Sequence, residues 1–203
     1  MTQSEYNMSF TAGGLFNREA VTLAERYLDL RDWDAVRKDV VSNNLLQART
    51  EASLTRMCRE VGFRLRVLND AELTYFVSAD PRERSYLLWL AACRRHGLLA
   101  EFSSEVVRER YISLQVDLNH EDFDAFFNRK AEWHPELEGI RDSTRDKLRQ
   151  VTFRMLREAQ LLDANNLIQP AMLSAELIEL IAKTDEQELF YFPAFESDIK
   201  VCA

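Results

Sequence analysis

Apolar residues recur along this chain at the three- and four-residue spacing of helices, and polar capping residues break the pattern into segments. A first helix is predicted from about Asn17 to Leu30, and Asp32 or Asp34 opens a second that carries Trp33, Val36 and Val40. After a connection at Asn43–Thr50, Leu54, Met57, Cys58, Val61, Leu65 and Leu68 form the clearest stripe, with Arg56, Arg59 and Arg66 on the opposite side. Asn69-Asp70 caps a short helix with Leu73, Phe76 and Val77. Asp80-Pro81 starts the most apolar segment, SYLLWLAACRRHG, which is hydrophobic nearly all round and therefore belongs in the middle of a bundle. Its end is predicted at Arg94, Arg95 and His96, with Gly97 in a left-handed cap, followed by a helix over Leu98–Val116.

The segment from Asn119 to Gln169 has the most distinctive pattern. Asn119 and Asp122 approximate a capping box, and Phe123, Phe126 and Phe127 then share one face with Lys130. His134 precedes Pro135, which ends that helix and starts a short one. A turn at Gly139–Asp142 leads to Ser143, a plausible cap for a longer helix whose stripe is Leu148, Val151, Met155, Ala159 and Leu162. Lys147, Arg149, Arg154 and Arg157 lie away from that stripe, with Arg145 on its flank. Leu161-Leu162, a turn at 163–166 and Leu167–Gln169 make the pattern of a very short hairpin. Helix, short helix, turn, basic helix and hairpin together resemble a winged helix-turn-helix with Ser143–Gln160 in the recognition position. A packed helix with a solvated basic face gives the same pattern. Beyond Pro170 a helix carries Leu177, Ile178 and Ile181, and an acidic turn leads to FYFPAF.

The expected fold is all-α: a compact multi-helix bundle with a winged-helix-like C-terminal half. Strand is limited to a short hairpin near 161–169 and a few residues near Ser9. The expected division is an N-terminal helical bundle over 1–116 and a C-terminal region with an acidic tail over 117–203. Five Gly and four Pro are few for this length, which also favours helices. The longest nearly unbroken apolar run, Tyr86–Cys93, is far short of the roughly 20 residues that span a bilayer. No signal peptide is recognisable and no membrane partner is expected. Cys58, Cys93 and Cys202 have neither zinc nor disulfide spacing, so a reducing cytoplasm is the expected location.

A formal charge of −8 argues against nucleic acid until its distribution is considered. Residues 1–48 are net −2, residues 49–160 are neutral, and residues 161–203 are net −6. Within 141–160 six basic residues face three acidic ones, a local +3. Arginine outnumbers lysine 21 to 5, and its planar fork suits phosphate and base edges. Genomic composition produces the same excess.

Catalytic patterns are absent. His120-Glu121 lacks the second histidine of a zincin, and no nucleophile elbow, deaminase, nuclease or kinase signature occurs. Gly13-Gly14 lacks the Lys-Ser/Thr of a phosphate loop and suits an entry turn. Carboxylates at Asp117, Glu121, Asp122 and Asp124 beside His120 and His134 have a helix-dipole explanation. Cys58 belongs to a core stripe and His96 to a helix cap. No enzyme activity, cofactor or metal is expected.

Four stretches carry a family resemblance: SFTAGGLF, ERYLDLRDWDAVRKDVVSNNLLQART, SYLLWLAACRR, and DLNHEDFDAFFNRKAEWHPELEGI with the following STRDKLRQVTFRMLREAQLLD. They resemble the BrxA family of the BREX bacteriophage-exclusion system, from about residue 6 to the end. The resemblance implies a small all-helical accessory protein that binds DNA and works beside a methyltransferase, an ATPase and a phosphatase-like protein. It transfers no catalytic residues.

Three functions are therefore expected in competition: a non-enzymatic double-stranded DNA-binding accessory protein in phage defence, a protein–protein scaffold of the BREX assembly, or an RNA-binding helical bundle resembling antitermination factors. The DNA-contact candidates come from charge and helical geometry. They are Arg145, Lys147, Arg149, Arg154 and Arg157, with Arg56, Arg59 and Arg66 in reserve. Asp185, Glu186 and Glu188 either compete with phosphates for the basic face or merely open a helix whose aromatic neighbours close the core.

Overall fold

Capping side chains stand at many of the helix starts, and each binds backbone N–H groups that the helix itself leaves unsatisfied. The computed structural model describes residues 6–10 and 13–200. Among them α1 (Asn17–Leu30) and α2 (Trp33–Ser42) are joined by Arg31 and Asp32, and Asp32 Oδ1 accepts from Asp34 N at 2.8 Å. Thr50 caps α3 (Glu51–Leu65), and Asn69 and Glu72 form a reciprocal capping box on α4 (Asp70–Ser78). Asp80 Oδ1 accepts from Arg82 N at 2.7 Å at the start of α5 (Pro81–Arg95).

The chain divides into two compact units. One is Leu15–Ala91; the other is formed by the chain on either side of it. In the first unit α1 packs against α2, α3 and α4, and α3 against α2. Leu54, Cys58, Val61 and Leu65 are buried as their stripe requires, with Leu23, Val36, Val40 and Phe76. Each such aliphatic or aromatic side chain stabilises the fold by roughly 1.5–3 kcal/mol. Residues 86 to 93 are buried throughout, as expected of a helix apolar on all sides.

The second unit contains α6 (Gly97–Phe102), a π-helical stretch Ser103–Arg108, and α7 (Glu109–Ile112). Gly97 begins α6; it is not a left-handed cap, because Gly13 is the glycine with positive φ among the described residues. His96 stands at the N-cap of α6, and its Nδ1 lies 2.9 Å from the Asn7 carbonyl, so it donates there. The helix predicted to reach Val116 ends at Ile112. The π stretch sits where Ser103 Oγ donates to the Tyr191 carbonyl at 2.6 Å and Arg108 lies over the Phe190 ring.

Next come α8 (His120–Ala131), α9 (Pro135–Glu138), α10 (Asp142–Glu158), α11 (Ala175–Asp185), a 3-10 turn Glu186–Tyr191 and α12 (Glu196–Ile199). Asn119 N donates to Asp122 Oδ2 at 2.7 Å, one half of the expected capping box. Phe123, Phe126 and Phe127 are buried, with Phe123 and Phe126 edge-on to Phe102. α10 starts one residue before the expected cap: Arg141 is at the N-cap and Ser143 is already helical.

The hairpin near 161–169 is reduced to isolated bridges, Leu162 with Ile168 and Asp117 with Leu167. No strand is present among the described residues, near Ser9 or elsewhere. The 161–169 loop and the segment before α8 still exchange backbone bonds. Gln169 N donates to Leu161 O at 3.0 Å, Leu118 N to Asn166 O at 2.9 Å, and Ile168 N to Val116 O at 2.6 Å.

The acidic tail is partly committed inward. Glu188 is buried and takes a two-pronged bond from Arg94, at 2.8 and 2.7 Å, so it is not a carboxylate waiting at the surface. Asp185 Oδ1 accepts from Gln187 N, and Leu189 and Phe192 close the core.

Candidate nucleic-acid interface

The basic helix α10 is pinned along one side by Leu148, Val151, Thr152, Met155 and Leu156, all buried. At about 100° per residue, Lys147 and Arg154 fall within about 20° of each other and Arg157 about 60° further round. Arg145 and Arg149 lie on the other edge of the buried stripe, toward α8.

That difference in direction separates the five predicted residues into two groups. Arg145 Nε donates to Asp124 Oδ1 at 3.2 Å and its Nη2 to the Asp124 carbonyl at 3.0 Å. Its guanidinium also lies 5.1 Å from the Phe127 ring centre. Arg149 donates from Nη1 to Asp124 Oδ2 at 2.5 Å and from Nη2 to Asp146 Oδ1 at 2.8 Å. The hydrogen bond to Asp124 raises the Arg149 pKa further above its ordinary value, so this guanidinium is permanently charged. Both arginines are mostly covered, and both are engaged by Asp124 of α8.

Lys147, Arg154 and Arg157 form the second group, exposed on the outer face. Lys147 makes no ion pair among the described residues. Among the described residues Arg154 has only an i,i+4 pair with Glu158 at 2.7 Å, with its own side chain 62% exposed. Surface pairs of this kind contribute a few tenths of a kcal/mol, about 0.3–0.5, and exchange readily for another anion. Arg157 Nη2 donates to Asn166 Oδ1 at 2.6 Å, which ties the outer face to the 163–166 turn. Asp163 Oδ1 holds that turn, accepting from Asn165 N and Leu167 N, each at 2.8 Å. Gly14 lets the entry segment lie against Glu158, where a Cβ would come within 2.1 Å of its carboxylate.

Arg56, Arg59 and Arg66 belong to the other unit and are exposed on α3 and just past its end. Arg59 is 3.5 Å from Glu60, and Arg66 is 3.7 Å from Asp34 while resting over the Trp33 and Phe63 rings. Sequence periodicity missed Arg64, which is buried with its guanidinium 5.5 Å from the Phe16 ring centre. It also missed Asp124 as a partner for arginines 21 and 25 residues away. Carboxylates at and just before the start of α8 are engaged in the same way: Arg110 bonds Asp122 and Asp117, both at 3.0 Å. No group of three potential metal ligands is assembled among the described residues. No described helix is long and apolar enough to cross a membrane.

A sequence model of the BrxA family matches residues 4–185 of this chain. The chain belongs to the BrxA family. It is 26% identical over 179 residues to the BREX protein BrxA of Escherichia coli O9:H4 (strain HS), covering 87% of this chain and 84% of that one. It is 27% identical over 149 residues to the BREX protein BrxA of Bacillus cereus (strain H3081.97), covering 72% of this chain and 74% of the relative. Its fold is also that of an uncharacterized protein from Magnetospirillum magneticum known from a crystal structure. That likeness has a TM-score of 0.79 at 21% identity and covers 98% of this chain and 100% of the other.

Proposed function

We propose that this BrxA-family chain is a non-enzymatic component of a BREX phage-defence system that binds double-stranded DNA through the outer face of α10. The observation that carries the reading is the outward set of Lys147, Arg154 and Arg157, bonded through Arg157 to the 163–166 turn. Helix α7, the bridged segment at 116–118, α8, α9, α10 and the bridged 161–169 turn follow one another in the order of a winged helix-turn-helix. In that arrangement a helix enters the major groove and the turn after it lies along the neighbouring backbone. Arg145 and Arg149 act at one remove, holding α10 against α8 and adding positive potential behind the contact face. The contact is mainly with phosphates and the sequence preference weak, because three cations on one helix face do not by themselves set a base code. The names of the relatives support membership of a BREX assembly, with other BREX proteins as partners.

The test is the triple variant Lys147→Glu, Arg154→Glu, Arg157→Glu. Its duplex-DNA affinity at low salt should fall at least about a hundred-fold, with circular dichroism unchanged. For the parent, the logarithm of affinity should fall linearly with the logarithm of salt, at roughly −0.9 per phosphate neutralised, and the variant should lose a slope of about 2 to 3. A variant that binds duplex like the parent removes α10 as the interface. Preference for duplex RNA or single strands over duplex DNA in the parent overturns the substrate class.

A further inference from the structure

The first unit holds a second feature that the DNA reading leaves unused, a recess between α2 and α3 of about 160 Å³. Leu23, Val36, Cys58 and Gly62 line it with apolar or weakly polar surface. Trp33 and Phe63 form part of its wall, and Phe63 is 37% exposed. Three arginines, Arg37, Arg59 and Arg66, stand around it. Arg66 is held in place by the two rings, at 5.8 Å from Trp33 and 5.9 Å from Phe63. Trp33 is itself stacked on Tyr27, with centroids 4.2 Å apart. A shallower, open groove of about 500 Å³ runs on from Arg59 past Arg56, Thr55 and Glu51 along α3.

Two carboxylates, Asp34 in the lining itself and Glu60 beside Arg59, stand against three arginines and leave the rim net positive. Asp34 is 3.7 Å from Arg66 with its side chain 91% exposed, and Glu60 is 3.5 Å from Arg59. Arg37 and Arg66 both act on the buried Cys58 thiol. Burial pushes its pKa up, and the two guanidinium groups act against that rise.

We infer that the α2–α3 recess takes one apolar side chain of an acidic peptide segment in a partner protein, with the flanking carboxylates on Arg37, Arg59 and Arg66. The volume is near that of the roughly 150 Å³ apolar cavities that accept a single benzene ring, so a Leu, Ile or Phe side chain is the right size. Arg56, in the adjoining groove, receives the next acidic residue along the chain. A phosphodiester backbone offers the charge but no apolar knob. A single unstacked base offers a ring but needs partners for its polar edges, and the floor of Leu23, Val36, Cys58 and Gly62 gives it at most a thiol. An acidic peptide with one apolar anchor meets both halves of the site. This inference stands independently of DNA binding by α10.

Fluorescein-labelled dodecapeptides of Glu, Asp and Ser with a single central Leu, Phe or Ala, titrated against the full chain, provide the test. The Leu or Phe peptide should bind at least about ten-fold more tightly than the Ala peptide and shift the Trp33 indole resonance. The double variant Arg37→Glu, Arg59→Glu should lose at least about ten-fold of that binding while its duplex-DNA affinity stays within about two-fold of the parent. If the double variant unfolds, Arg37→Gln, Arg59→Gln replaces it, with the same expected direction. Equal binding of the Ala and Leu peptides overturns the anchored recess. Loss of oligo(dT) or duplex binding in the variant, with peptide binding intact, reassigns the site to nucleic acid and overturns the proposal.

Discussion

Helices α3 and α10 carry the same pattern, an apolar stripe with arginines opposite it, yet the fold uses their arginines differently. On α10 a carboxylate from another helix, Asp124, engages Arg145 and Arg149 and leaves Lys147, Arg154 and Arg157 outside. On α3 the carboxylate neighbours stand further off, Glu60 at 3.5 Å from Arg59 and Asp34 at 3.7 Å from Arg66, and neither draws its arginine in. Arg56, Arg59 and Arg66 stay exposed around open space, and Arg64 is buried against a ring. A basic helix face is therefore not a unit of function. Whether a guanidinium holds the fold together or remains available to an anion depends on what packs beside it, because one good carboxylate neighbour is worth more than any exposed pair.

The sharpest way to break this comparison is Asp124→Ala. It removes the acceptor shared by Arg145 and Arg149 and leaves Arg149 with Asp146 alone. Hydrogen bonds to charged groups contribute about 1.5–3 kcal/mol, so urea denaturation should show a loss of about 2–3 kcal/mol. Duplex-DNA affinity, measured where the variant is still folded, should hold or rise, because one negative charge beside the basic helix is removed. A fall in affinity at full helicity makes Arg145 and Arg149 direct contacts and collapses the two groups into one.

Removing Arg66 from the other helix should cost less. Arg66→Gln gives up two ring contacts and a loose 3.7 Å pair with Asp34. An exposed cation over an aromatic ring contributes about 0.5–1 kcal/mol, and that is the loss of stability expected in thermal or urea unfolding. A loss above that of Asp124→Ala reverses the order of the two helices.

Gly62→Ala should move stability the other way. Gly62 lies inside α3, and an added Cβ meets only the Leu23 Cδ2 atom, at an ordinary 3.9 Å. Replacing a mid-helix glycine should stabilise by about 0.5–1 kcal/mol, seen as a higher unfolding midpoint. Destabilisation instead means the α1–α3 packing cannot take one methyl.

The smallest effects belong to the exposed arginines. Arg154→Ala and Arg59→Ala should each change stability by less than about 0.5 kcal/mol. Yet Arg154→Ala should weaken duplex binding, and Arg59→Ala should weaken the acidic peptide. At these positions binding falls with stability almost unchanged, whereas at Asp124 stability falls and binding holds or rises.

Much of this was legible in advance. The caps at Asp32, Asn69 and Asp80, the break at His134-Pro135, and the stripes of α3, α8 and α10 are local patterns, and local hydrogen bonds and burial enforce them. Gly97 departs from its sequence signal, because a glycine after a basic run fits a C-terminal cap as well as the first residue of the next helix. The neighbouring backbone chose the second, through His96 bonding Asn7. The 161–169 hairpin shrank to bridges because its partner segment before α8 offers only a few paired residues.

By itself, then, the sequence determined the helical class, the family through its own distinctive stretches, which faces are apolar, and where the positive charge of the C-terminal half concentrates. Those features depend on residues within one or two turns of each other. Tertiary structure alone decided which arginines are tied to Asp124, that Glu188 lies inside against Arg94, and that Trp33, Phe63 and three arginines surround one recess. Each of these joins side chains from different turns or helices, by as many as 94 residues in the Arg94–Glu188 pair. Ion pairs and cavities form only after burial has brought the partners within a few ångströms and removed the water that would otherwise screen them.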